Sequence, residues 1–537
     1  MLRWSGPLLM LFVLATSPAS ADDPPPAPPV EDAPPAPTQE DGGTPPADAP
    51  DAEKRALPAD SADAAEERGP PTDSAGDEER GPAADSADAA EERGPPADSA
   101  DTAKEKGLPA DAPVVQSETP TRHPWLALAE VTAINVVVWG YDITIGDKEW
   151  AHVNLHTWKK NLETGFVWDG DGFSTNQFAH PYHGSLYYTA ARDNGIPYAG
   201  AFAYSLLGSA QWELFAENEP PSFNDLINTS LGGTVMGEVL YRLSSFVLDT
   251  ETYGRERAVR EVAAGLLSPI RGINRLLRGD TFRIEPTPAE WKRHDVTAWA
   301  TTGYLTLGDG ELLKGGKDQF FAQISLRYGD AYRDTIRRPF DAFEGHIQFT
   351  TRESSLISHA RLTGLLAVST LVSTPKDELR VGLFQQLNYV DTLAYEVGGQ
   401  GFDVGMMYLR QFSPTARLKT YFALEAGLLS GVSSEHAGKS DRDYDYGSGV
   451  GAQLRASYAF DDWDILTLEG SSTHIAVLDG SGGSHQIHTG QLTVDVPVRG
   501  RFGLGTEVNY FQRNSRFVGF PSIRKSTYEL RFFISLH

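Results

Sequence analysis

The chain has no cysteine among its 537 residues. That excludes disulfides, thiolate metal sites, cysteine nucleophiles and the lipid-modified N-terminal cysteine of a lipoprotein. Any membrane attachment must therefore come from the fold. A basic stripe is also missing: 46 Lys and Arg face 73 Asp and Glu, for a net charge of −27, which argues against a nucleic-acid partner. Neither a Gly-x-Ser-x-Gly elbow nor a His-Glu-x-x-His zinc helix occurs. Nothing in the sequence calls for a cofactor.

The acidity is uneven. Residues 22–120 hold 26 acidic and 7 basic residues, so most of the imbalance sits there. This stretch is Pro, Ala, Asp, Glu and Gly, with almost no aromatic or β-branched residue. It repeats Ala59–Pro71 identically at Ala84–Pro96. Such a composition buries too little apolar area to offset chain entropy, so 22–121 is expected to be a disordered acidic linker. It would act as a spacer, or as a tail that binds a periplasmic protein partner. Before it, Met1–Ala21 has the parts of a signal peptide: Arg3, an apolar run from Leu8 to Ala15, and the small residues Ala19-Ser20-Ala21.

Order is expected from about 122, with a helical domain over 122–290 and a β-barrel over 291–537. The periodicity predicts helices over Trp125–Trp139, Pro181–Asp193, Tyr198–Glu217, Ser222–Leu248 and Arg255–Leu277, with 142–171 read as loop and short pieces. Pro181 suits a first helical turn, and Ser222 with Asp225 forms a capping pattern. Ala201, Ser205, Ser209, Glu213 and Glu217 recur at every fourth position, a stripe of small and then acidic residues. Gly233 and Gly237 form a Gly-x-x-x-Gly pair that permits close helix packing, and the expected partner is the Ala201/Ser205/Ser209 stripe. Mid-run polar residues such as Gln211, Glu213, Glu238 and Arg242 weigh against a free-standing inner-membrane bundle, because they are costly in lipid.

From about 295 the period changes to two. Leu418, Thr420, Phe422, Leu424, Ala426 and Leu428 alternate with Lys419, Tyr421, Ala423, Glu425 and Gly427. Segments of this length, greasy on one face and polar on the other, fit an antiparallel transmembrane barrel of about twelve strands in outer-membrane lipid. The expected fold class is α+β, with the helices plugging the lumen or sitting at its periplasmic mouth. Tyr389, Tyr408, Tyr458, Phe460, Trp463 and Tyr510 are candidates for interfacial aromatics. The chain ends on a strand, with His537 where such barrels usually place an aromatic residue.

Asn176, the pair His180-Pro181, Gly184, Tyr187, Arg192, Gly195, Ser209-Ala-Gln-Trp-Glu213, Asn224-Asp225, Gly232 and Gly237-Glu238 carry a resemblance. With them, Phe173 to Ser245 resembles a bacterial family known only as a domain of unknown function (number 3943), which implies no established activity. A looser likeness to membrane helices of the VanZ-like kind lies in Glu213, then Asp225-Leu-x-Asn-Thr229, then Gly233-x-x-x-Gly237. It implies close-packed helices with buried polar residues.

The function expected is an outer-membrane barrel concerned with solute binding or passage, or with envelope structure, and with no assigned reaction. The alternative is a lipid or acyl hydrolase that draws on His180, His183, Ser209, Glu213 and Asp225. Ser185 lies two residues from His183, so the two diverge by about 200° on a helix, and a dyad would need Ser209. His180 and His183 are weak metal candidates, sharing a face with Glu213 and Glu217, and His152 with His156 is a weaker pair. The bland reading is a structural network of Asn176, Arg192, Trp212, Glu213, Glu217, Asn224, Asp225, Asn228 and Glu238. On the strands, His474 with Ser472 and His485 with His488 make no convincing pair.

Overall fold

The computed structural model describes residues 121–309, 318–352, 355–436, 442–461 and 463–537. The signal peptide and nearly all of the acidic linker expected from the sequence lie outside them. Eight α-helices occur among the described residues: α1 (Pro124–Thr144), α2 (Leu155–Thr164), α3 (His180–Asp193), α4 (Tyr198–Phe215), α5 (Phe223–Ile227), α6 (Gly233–Val247), α7 (Gly254–Leu267) and α8 (Pro269–Leu277). Two π-helical turns, Thr175–Ala179 and Asn228–Gly232, run directly into α3 and α6. The single helix expected over Ser222–Leu248 is thus interrupted, and the one expected over Arg255–Leu277 breaks at Ser268 before Pro269. Proline cannot donate its missing N–H to the preceding turn, so the chain restarts there as a new helix.

Twelve strands follow: β1 (Val296–Asp309), β2 (Asp318–Tyr328), β3 (Phe343–Thr350), β4 (Ile357–Ser373), β5 (Asp377–Asp391), β6 (Glu396–Gln411), β7 (Ala416–Ser433), β8 (Tyr444–Phe460), β9 (Trp463–Asp479), β10 (Ser484–Arg499), β11 (Phe502–Arg516) and β12 (Ile523–Leu536). Each pairs antiparallel with its neighbours, and β1 pairs with β12 to close the barrel. Closure leaves no open edge. Of the five connections at the end that holds Val296 and Leu536, 374–376, 412–415 and 500–501 are tight, and β9 begins three residues after β8 ends. The fifth, 329–342, is longer and folds back, placing a half-buried Tyr332 whose hydroxyl donates to the Thr420 carbonyl at 3.4 Å.

Several polar bonds join strands that are not neighbours, so they must cross the lumen. Arg361 on β4 reaches Glu469 on β9 at 3.0 Å, and Arg455 on β8 reaches Glu344 on β3 at 3.1 Å. Arg327 on β2 meets Asp464 on β9 at 3.2 Å, and Arg531 on β12 donates to Gln348 on β3 at 2.8 Å. These bonds fix which face is inside. Arg361 is registered with Asn388 and Thr363 with Gln386, so Gln386 and Asn388 point inward. Alternation then turns Leu383, Gln385, Leu387 and Tyr389 outward.

That parity locates the helices. Gln385 Nε2 donates to the Leu231 carbonyl at 3.4 Å and its Oε1 accepts from the Tyr198 hydroxyl. Val235 and Val239 of α6 pack on outward-facing Phe343 and Leu387 together with Tyr328 and Phe340. Gln177 lies across Gly398 and Gly431, where a β-carbon would come within 2.5 and 3.4 Å of its amide. The helical block therefore rests on the outer face of the wall, over β2 to β8, and not in the lumen. The expectation of a plug is corrected by the register: polar residues on the outward face of β5 and β6 were what the helices needed.

Within the block, α3 and α6 cross with their backbones in contact. A β-carbon on Gly233 would lie 2.5 Å from the Gly184 carbonyl carbon, and one on Gly237 2.7 Å from the Tyr188 ring. The partner of the glycine pair is thus α3, and not the α4 stripe expected from the sequence. Helix α4 joins the same crossing from the other side: Ser205 Oγ donates to the Gly184 carbonyl at 3.1 Å. Helix α1 covers this layer with Ala127, Val131 and Ile134 against Tyr187, Tyr188 and Ala190. Its opposite side leaves Trp125, Val136 and Val137 exposed, as is Ile145 just past its end.

Candidate functional site

Two polar clusters form between the helices. The first is an ion-pair chain nearer the end that carries the barrel termini. Glu238 is wholly buried, with Arg192 Nε and Arg242 Nε both at 2.8 Å and the Tyr188 hydroxyl donating at 2.8 Å. Arg242 continues to Asp341 at 2.9 Å in the 329–342 connection. Arg192 and Glu238 thus belong here, apart from the other residues expected to share one network. Two guanidinium groups against two carboxylates balance the charge.

The second cluster lies at the other end of the helices, where α3 begins and α4 ends. The π-helical turn Thr175–Ala179 and Pro181 set the start of α3 and aim His180 at the loop 168–173 and at α5. Ser222 caps α5, its Oγ accepting from Asp225 N at 3.1 Å, which fixes Asp225 opposite the imidazole. His180 Nε2 stands 3.3 Å from Asp225 Oδ1 and 3.5 Å from Asp171 Oδ2. Its Nδ1 faces Thr229 Oγ1 at 3.3 Å. Asn224 Nδ2 donates to Asp169 at 2.6 Å and to Asp225 at 3.0 Å, and both Asn224 and Asn228 donate to Asn176 Oδ1. Glu213 accepts from Ser222 N at 2.8 Å, and Glu217 accepts from Trp212 Nε1 at 2.5 Å.

The charge here is lopsided. Asp169, Asp171, Glu213, Glu217 and Asp225 gather around one imidazole, and among the described residues none of the five pairs with Lys or Arg. Burial lifts Glu217, in the connection after α4, to about 7, against the Trp212 hydrogen bond that favours its charged form. Asp169 is half-buried, but hydrogen bonds from Asp225, Asn224 and Ser222 outweigh the cost of burial and hold it below the usual carboxylate range.

The outer wall of the barrel completes the cluster. Tyr444 donates to the Asp171 carbonyl at 2.6 Å and accepts from Asn176 at 3.1 Å, while Asn228 donates to Tyr446 at 3.4 Å. Arg442 donates to the Asp169 carbonyl at 2.6 Å and lies over both tyrosine rings. Sequence reasoning missed Asp169, Asp171, Tyr444 and Tyr446. The Asp169-Gly-Asp171-Gly172 loop was a local signal for the first two, but no local pattern links it to tyrosines some 270 residues away.

The remaining candidates do not form a hydrolase site. His183 turns away from His180: its Nε2 meets the Tyr187 hydroxyl at 2.9 Å and its ring stands edge-on to Trp212 at 5.0 Å. Ser185 Oγ donates to the Tyr182 carbonyl, and among the described residues buried Ser209 Oγ has no hydrogen-bond partner. A nucleophile–base pair is therefore not assembled. His152 and His156 are exposed and lie outside both clusters. On the strands, His485 joins Asp445 at 3.0 Å and Ser515 at 2.8 Å, a grouping the sequence did not disclose. All three are about 1% exposed or less, so no substrate can reach the serine, and the line pins β8, β10 and β11 together.

Residues 165–270 match the family model described as Domain of unknown function (DUF3943). The helical block carries a DUF3943 domain. The match spans the second cluster and most of the first, including Asp169 and Asp171, which lie ahead of the residues that carried the resemblance. No curated protein matches the chain. Among solved structures, the NanC porin is similar at 7% identity, over 44% of this chain and 99% of that one, with a TM-score of 0.24. The KdgM porin is similar at 7% identity over 44% and 98%, with a TM-score of 0.19. OmpT of Vibrio cholerae, in its outer-membrane expressed form, is similar at 6% identity over 45% and 97%, with a TM-score of 0.19.

Proposed function

We propose that the protein is an integral outer-membrane barrel whose lumen is closed and whose DUF3943 helices lie in the bilayer against its wall. On this reading it binds a small solute at the junction of helices and wall instead of passing one through the bore. The observation that carries it is the set of side chains across the lumen. Arg361–Glu469, Arg455–Glu344 and Arg327–Asp464 tie opposite walls at 3.0–3.2 Å, and Tyr332 packs in beside them. These side chains keep 22–46% of their surface exposed, so the pairs narrow the bore as charge-matched bridges between its walls.

The exposed apolar side of the helices supports the placement in lipid. Helix α1 is long and apolar enough to cross a membrane. Its Val136 and Val137, with Ile145 just past its end and Leu206, Leu207 and Phe215 of α4, would otherwise stand in water. The tight connections at the end bearing both barrel termini fit the periplasmic side. The acidic segment before α1 would then lie in the periplasm, free to meet a protein partner there. Conductance in planar bilayers tests the reading. The native protein should be silent, and the Arg361→Ala/Arg455→Ala variant should leak. A steady porin-sized conductance from the native protein would contradict it.

A further inference from the structure

The geometry points to a divalent-cation site, with zinc as the best-fitting ion, formed by Asp171, His180 and Asp225 where the DUF3943 helices meet the barrel wall. This inference rests on reading that junction as a binding site.

Three independent features support it. First, the ligand atoms converge. Oxygen and nitrogen ligands bind zinc at about 2.0–2.2 Å in a tetrahedron, which places neighbouring ligand atoms about 3.3–3.6 Å apart. His180 Nε2 is 3.3 Å from Asp225 Oδ1 and 3.5 Å from Asp171 Oδ2, and all three ligand atoms lie within 4.8 Å of one another.

Second, among the described residues the buried His180 Nε2 has no hydrogen bond, although it points between two carboxylates. A proton on Nε2 would pair with these carboxylates, and a cation held between the three ligand atoms would satisfy them equally. The other ring nitrogen meets Thr229 Oγ1, which is the arrangement that orients a metal-bound imidazole. Zinc takes the neutral tautomer, whose Nδ1 proton goes to that hydroxyl, and displaces the proton that the two carboxylates otherwise favour on Nε2.

Third, the ligands are held from outside the triad. Ser222 caps the turn that carries Asp225, and Tyr444 on the barrel grips the Asp171 backbone. The side chain of Asp171 is half exposed while that of Asp225 is 4% exposed, so the cluster has an entrance on one side. Three protein ligands leave a fourth position for water or a solute donor. Mixed imidazole and carboxylate ligands suit zinc better than magnesium or calcium, which favour oxygen alone. A cation there would also tie the loop 168–173, α3 and α5 into one unit against Tyr444.

The test uses the full chain in detergent, stripped with chelator and titrated with zinc alone. The expected result is one zinc per chain, with cobalt giving a tetrahedral visible spectrum at the same site. Asp225→Asn and His180→Ala should each weaken zinc by more than the 10–100-fold typical of losing an outer-shell partner. Asp171→Asn guards against misfolding, because its side chain is half exposed, and it should weaken zinc while heat-modifiability of the barrel stays native. His156→Ala, on the exposed helix α2, should bind as the native protein does. Absence of stoichiometric zinc, or native zinc affinity in Asp171→Asn and Asp225→Asn, would overturn the site. That outcome is distinct from failure of the closed-lumen reading, which conductance alone decides.

Discussion

A β-carbon placed on Gly184 would stand 1.7 Å from the Thr229 carbonyl oxygen. No side chain fits there, so the approach of α3 to the π-helical turn before α6 is backbone on backbone. Gly184→Ala must push the two helices apart or break the turn. Overpacking of this kind costs about 1–3 kcal/mol, and more where the obstacle is main chain. The expected outcome is a helical block that becomes protease-sensitive while the barrel still migrates as a folded species. Limited proteolysis followed by unheated gel electrophoresis reads both.

Glu238 offers a second test in the helices. It holds Arg192 and Arg242 at 2.8 Å each and has no solvent exposure. Removing one partner of a buried ion pair costs about 3–5 kcal/mol, because the charge left behind is uncompensated. Glu238→Gln should therefore lower the helical unfolding transition followed by far-UV circular dichroism. If Glu238→Gln unfolds with the native midpoint, the ion-pair chain contributes nothing.

The joint between helices and barrel should respond to acid. Asp249 is held down to about 2: burial opposes this, but hydrogen bonds from Lys292 and Thr287 outweigh it. A depressed carboxylate contributes stability that is present above its unfolded value of 3.8 and is lost as pH falls through about 2. Lys292→Met should remove the main favourable bond and move the acid-induced transition to higher pH. An unchanged acid midpoint would show that this bond does not hold the joint.

At the closing seam, His537 does the work of the expected terminal aromatic. Its ring centroid lies 3.8 Å from Trp463 and 6.1 Å from Trp299, and its Nε2 meets Asp495 at 3.2 Å. Aromatic pairs of this type contribute about 0.5–1.5 kcal/mol beyond area burial. His537→Ala should lower the temperature at which the barrel unfolds, and His537→Phe should restore most of it.

The barrel was legible because its signal is local. Strands such as Asp318–Tyr328 announce themselves by period two, and their ends fall at turn residues. The site was only half legible. His180 and Asp225 stood out as polar residues in apolar helices, but their convergence with Asp171 depends on the loop before α3, which has no periodicity. The resting place of the helices was hidden for a different reason. Gln385 and Gln400 occupy outward positions on β5 and β6, which in a bare barrel would face lipid. That misfit was the clue, yet parity could be assigned only once Arg361 was seen to cross the lumen. The break in the Ser222–Leu248 helix was hidden because a π-helical turn keeps helical backbone angles, so the weak helix formers Asn228, Thr229 and Gly232 do not by themselves mark it, and the turn answers to the Gly184 contact.

The most direct test of the helices' position uses the natural absence of cysteine. Gln177 sits over Gly398 on the outward face of β6, whereas Gln386 on β5 points into the lumen. A short bis-maleimide should link Gln177→Cys to Gly398→Cys in native membranes and leave the Gln177→Cys/Gln386→Cys protein unlinked. Linking of the second pair and not the first would place the helices inside the barrel and contradict the account.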